Sequence, residues 1–110
     1  MNILCFGDSN TWGYKPDKSG RYDENIRWTG LLQKKLGSGY HIIEEGLCGR
    51  TTVFHDELRE GRRGLDMIGV TVEMHDPLDL VIIMLGTNDC KSRYGASASV
   101  IAKGLSAKHA

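Results

Sequence analysis

Charge of one sign is what this sequence most plainly lacks: 14 Lys and Arg balance 14 Asp and Glu, for a formal net charge of zero. That balance gives no electrostatic footprint for nucleic acid or an anionic membrane, so neither is expected as a partner. Long hydrophobic runs are missing as well. Gly7 and Asp8 interrupt the N-terminal apolar stretch, no basic segment precedes it, and no run approaches the roughly 20 residues of a membrane span. Cysteine is scarce. Cys5, Cys48 and Cys90 form an odd, widely spaced set without a Cys-x-x-Cys pair, which predicts a reduced, cytoplasmic setting and no disulfide framework. Gly-x-Gly-x-x-Gly, Walker sequences and internal repeats are absent, and no cofactor is implied. A second histidine to partner His41 beside Glu44 and Glu45 is also missing, so no metal site is expected.

What is present is an alternation of strand-like and helix-like pieces within one domain of 110 residues. Ile3–Phe6 is a short apolar run that glycine ends. Residues 14–27 are polar and contain Pro16 and Gly20, which predicts a loop. Trp28, Leu31, Leu32 and Leu36 then fall on one face of a helix that Gly37 and Gly39 stop. His41–Glu45 is a second strand, ended by Gly46. Leu65, Ile68 and Val72 carry helical spacing up to Pro77, and Val100, Ile101 and Leu105 do so in the tail. Asp79–Leu85 is the strongest strand signal, because continuous apolarity without alternation predicts burial on both faces, as in a parallel sheet. The pattern predicts an α/β fold, with a parallel sheet in spatial order two-one-three.

Each predicted strand ends in glycine and small polar residues: Gly7-Asp8-Ser9-Asn10, then Gly46-Leu47-Cys48-Gly49-Arg50-Thr51-Thr52, then Gly86-Thr87-Asn88-Asp89. In a parallel sheet these C-terminal ends share one edge, where open α/β sheets bind their ligands. Turn chemistry explains any one of them. Together they supply a serine hydroxyl, backbone amides at glycine and the side-chain amide of Asn88, the parts that acyl transfer requires.

These motifs, with Arg27-Trp28-Thr29-Gly30, Glu44-Glu45-Gly46-Leu47 and the run from Leu80 to Asp89, resemble the SGNH (GDSL-type) hydrolases, in their arylesterase and acyltransferase branch. The likeness extends from residue 2 to about residue 105. It implies a flavodoxin-like three-layer α/β/α fold, of which this chain is the N-terminal part. It also implies hydrolysis of small acyl esters or thioesters, with acyl transfer as a variant. By resemblance Ser9 is the catalytic nucleophile. The amides of Ser9 and Gly49 and the side-chain nitrogen of Asn88 form the oxyanion hole, and Asp8 and Asp89 are supporting residues. The Gly-x-Ser-x-Gly elbow of other α/β hydrolases is absent.

One family block has no counterpart. The family's Asp-x-x-His supplies the general base, whereas Ser38, Thr52, Val72 and Ser106 stand three residues before His41, His55, His75 and His109. The expectation is a single SGNH domain over residues 1–110 that is truncated or frameshifted at its C-terminus, with impaired esterase activity. By the family's topology two further strands lie beyond the third. Without them that strand is an apolar edge, open to a second copy of the chain. Two other readings compete: an inactive remnant acting as an association or ligand-binding module, and an anion binder using the glycine-rich strand ends. The Arg59–Gly64 run is expected to be a solvated loop, Cys48 a free thiol, and Trp12 and Trp28 packing residues.

Overall fold

The computed structural model describes residues 1–106. Three parallel strands form its centre, β1 (Asn2–Gly7), β2 (His41–Gly46) and β3 (Leu80–Met84), in the order β2-β1-β3. The register sets Gly7 opposite both Gly46 and Met84, so all three C-terminal ends share one edge. The helices are α1 (Ser9–Trp12), α2 (Trp28–Leu36), α3 (Gly64–Met74) and α4 (Ala98–Ser106), with two short 3-10 turns, Asn88–Cys90 and Ser92–Tyr94, between β3 and α4.

β1 is the core. Ile3, Leu4, Cys5 and Phe6 are buried, because both of its edges are paired and both faces are covered. Neighbouring residues of a strand point to opposite faces, and β2 uses this to join two layers. Glu44 meets Arg27 and Thr29 beside and within α2, while Glu45 meets His75 at the end of α3. The helices α2 and α3 therefore cover opposite faces of the sheet. This is the expected α/β architecture with strands in the order two-one-three.

Two expectations of burial need correction. β3 was expected to be buried on both faces, but Val81, Ile82 and Ile83 are half-buried and Leu80 and Met84 are exposed. The reason is position, since among the described residues β3 pairs only with β1. In α2 the buried residue is Thr29, and Leu31 of the predicted stripe is exposed. Polar bonds turn that helix. The Thr29 hydroxyl donates to Glu44 at 2.6 Å, and the Gln33 carboxamide accepts from the Ile42 amide and donates to the Tyr40 carbonyl.

The helix α1 falls in a stretch where only a turn was expected. Asp8 caps it, its carboxylate accepting from the Asn10 amide at 3.0 Å, and Gly13 closes it in the left-handed region at φ +95°. The helix rests directly on the strand ends. A Cβ at Gly46 would land on the backbone of Thr11 and Trp12, and one at Gly7 on the Thr11 side chain.

Candidate functional site

Ser9 is the first residue of α1, two positions beyond the end of β1, and it is half-exposed. No backbone hydrogen bond among the described residues takes its amide as donor. Gly49 lies in the turn after β2 at φ +84°, and its amide is likewise unclaimed among the described residues. Asn88 opens the 3-10 turn after β3.

A chain of hydrogen bonds fastens these three segments together. The Leu47 amide and the Arg50 guanidinium both donate to the Gly7 carbonyl, each at 3.1 Å. Arg50 donates again to the Glu45 carbonyl at 2.7 Å, and its own carbonyl accepts from Asn88 Nδ2 at 3.1 Å. Behind them the carboxylate of Asp89, fully buried, accepts from the Thr52 amide at 3.0 Å and from the Thr52 hydroxyl. The loops after β2 and β3 are thus locked to each other and to the end of β1. Asn88 uses one amide N–H on Arg50. A carboxamide has two, so the second remains for another acceptor.

Arg50 is the residue that sequence reasoning left without a role. It is buried, its guanidinium lies 3.9 Å from the centre of the Phe6 ring, and burial pulls its pKa down to about 10, leaving it charged at neutral pH. The only signal was a charged residue placed between Gly49 and two threonines that are themselves buried. Asp8 is also buried. Burial raises its carboxyl above the usual range, against the hydrogen bonds from Asn10 and the charge of Arg50, which pull the other way.

The other candidates separate from this edge. His41 opens β2, at the opposite end of the sheet, and is exposed. His75 pairs with Glu45 at 2.8 Å. His55 is exposed in the loop after β2, and His109 lies outside the described residues. No hydrogen bond joins Ser9 to a histidine among the described residues. The arginines of the 59–64 run tie up their own loop: Arg62 donates to the Cys48 and Glu60 carbonyls, and Arg63 to the Val53 carbonyl and Asp66. Trp28 donates to the Thr11 hydroxyl at 3.3 Å, and Arg21 lies over Trp12.

The comparison that decides the family is with a model of the GDSL-like lipase/acylhydrolase family, which matches residues 5–107. This chain belongs to that family. Solved structures agree with it. The native M. smegmatis aryl esterase superposes with a TM-score of 0.94 at 44% identity, over 97% of this chain and 52% of its own. Est24, a carbohydrate acetylesterase from Sinorhizobium meliloti, gives 0.93 at 46% identity, over 98% and 52%. The SGNH-hydrolase family esterase AlinE4 gives 0.73 at 28% identity, over 98% and 50%. No curated protein matches the chain. The GDSL-family fold is therefore present here over about half the length of these structures. Among the described residues no helix is long and apolar enough to cross a membrane.

Proposed function

We propose that the chain carries the nucleophile and the oxyanion donors of a serine ester hydrolase acting on small acyl esters or thioesters. The observation behind this reading is the hydrogen-bonded edge, where Arg50 links the end of β1 to Asn88 while the amides of Ser9 and Gly49 stay unclaimed. Ser9 Oγ attacks the acyl carbon. The amides of Ser9 and Gly49 and the second N–H of Asn88 stabilise the charge that develops on the carbonyl oxygen. Asp8 acts by capping α1 and so fixing Ser9, and Asp89 acts by holding Thr52 and thereby the loop that bears Gly49.

Proton removal from Ser9 needs a base, and none of the described histidines bonds to it. A serine site with an oxyanion hole and no base retains about 10³–10⁴ over water, far below a complete triad. The expected result is weak p-nitrophenyl acetate turnover by the 110-residue chain that Ser9→Ala changes little, rising strongly and becoming dependent on Ser9 when a segment bearing Asp-x-x-His is joined to it. In the joined form, turnover that Ser9→Ala leaves unchanged would remove Ser9 from the reaction. Robust Ser9-dependent turnover by the chain alone would assign the base to one of its own histidines.

A further inference from the structure

Away from the strand-end network, a cleft of about 300 Å³ opens between the loop after β2 and the 3-10 turn before α4. Its lining is His55, Glu57, Leu58, Arg93 and Tyr94. We propose that this cleft binds a small carboxylate with an apolar tail, a site separate from Ser9.

Three features define that ligand. The first is Arg93. Its guanidinium has five donors in a planar fork, and among the described residues its one hydrogen bond to another side chain is a long one, 3.4 Å to Asp56. The Asp56 carboxylate is fully buried and shared with Arg59 at 3.6 Å, and it also accepts from the Leu58 amide at 2.8 Å. Arg93 is therefore held in place by a partner that occupies little of its capacity. A carboxylate matches the rest of the fork in the two-pronged geometry guanidinium favours.

The second feature is Tyr94. Its hydroxyl is buried and has no hydrogen-bond partner among the described residues. Sealed from solvent, that hydroxyl is out of reach of a molecule in the cleft, so Tyr94 offers a ligand its ring. The ring cannot turn away freely, because Phe54 stacks on it at 4.8 Å and Arg93 lies 5.4 Å from its centre. The third feature is Leu58, which is 82% exposed and forms an apolar wall with the Tyr94 ring. Glu57 opposes an anion, but it is exposed and its charge is screened by water. The volume lies at the small end of ligand pockets, about 300 Å³, enough for a benzoate-sized molecule.

The test is an NMR titration of the full 110-residue chain with benzoate and, separately, with the neutral isostere benzamide. Benzoate should bind saturably in roughly the millimolar range, as befits a ligand of that size, and shift the amides of residues 55–58 and 93–94. Benzamide should bind at least about tenfold more weakly, since it cannot form the charged pair. Arg93→Met should weaken benzoate by about 10- to 100-fold, whereas Tyr94→Phe, which keeps the ring, should leave it within about twofold, with the amide spectrum otherwise retained. Equal binding of benzamide, or shifts confined to residues outside the cleft, would overturn the site. Because the unaltered chain discriminates the two ligands, the outcome stands even if Arg93→Met fails to fold. The readout needs no turnover, so it is independent of the esterase reading.

Discussion

At the scale of single residues, burial and hydrogen bonding separate groups that composition treats alike. The three cysteines differ in this way. Cys5 sits in the fully buried centre of β1, where burial, and then the charge of Glu44, push its thiol up to about 11. Cys90 is exposed and Cys48 half-exposed. Since the thiolate is the reactive form, iodoacetamide at pH 8 should modify Cys90 first and leave Cys5 intact until the chain is unfolded. Early labelling of Cys5 in a mass-mapped time course would mean that β1 is not buried in solution. Asn88 is the second residue-scale case. In a form of the protein with measurable turnover, Asn88→Ala should lower kcat by about 10²–10³, the usual loss for one oxyanion donor. An unchanged kcat would make its bond to Arg50 purely structural.

At the scale of elements, what was legible in the sequence is what repeats or punctuates. The strands are short apolar or alternating runs ended by glycine, and their boundaries were readable to within one residue. The edge that unites Ser9, Gly49 and Asn88 followed from parallel pairing alone. The helix α1 was not legible, because four residues carry no periodicity and its stability comes from the Asp8 cap and from contact with the strand ends. Nor was the inward turn of Thr29 and Gln33, which polar bonds decide against the apolar stripe. Arg50 escaped for the same reason: its role lies in backbone carbonyls that no sequence pattern displays. The contact of α1 with β2 gives a sharp prediction. Gly46→Ala forces a Cβ onto the backbone of Trp12, which cannot swing aside as a side chain would, so the variant should lose about 1–3 kcal/mol in urea unfolding. Gly39→Ala, with open space around it, is the control and should cost far less. The outer edge of β3 gives another. Its residues, uncharged and with no partner strand on that side among the described residues, should drive concentration-dependent association of this chain, and Leu80→Lys with Met84→Lys, at exposed positions, should suppress it in sedimentation.

At the scale of the whole molecule, the sheet is held by buried or half-buried carboxylates whose responses to pH have opposite signs. Burial raises Glu44, but the hydrogen bonds from Arg27 and Thr29 and the Arg27 charge outweigh it and carry the group below the usual glutamate range. A carboxylate lowered in the fold contributes stability above its unfolded pKa, and that stability is lost as pH falls through the folded value. Asp8 is raised, chiefly by burial, with the Asn10 bonds and Arg50 opposing. Its contribution is fully present below the unfolded pKa and lost as pH rises through the folded one. At neutral pH, then, the charge on Glu44 supports the fold while the charge on Asp8 strains it. Glu44→Gln should lower the melting temperature at pH 7 by on the order of 5 °C, and the difference should shrink steadily as pH falls below the usual glutamate range. Asp8→Asn keeps an oxygen that can accept from the Asn10 amide and removes the buried charge, so it should raise the melting temperature at pH 7 and leave pH 3 unchanged. A fall at pH 7 for Asp8→Asn would show that the attraction of Arg50 to the Asp8 carboxylate exceeds the cost of burying it. The end of β1 would then be fixed by that ion pair and not by the cap alone.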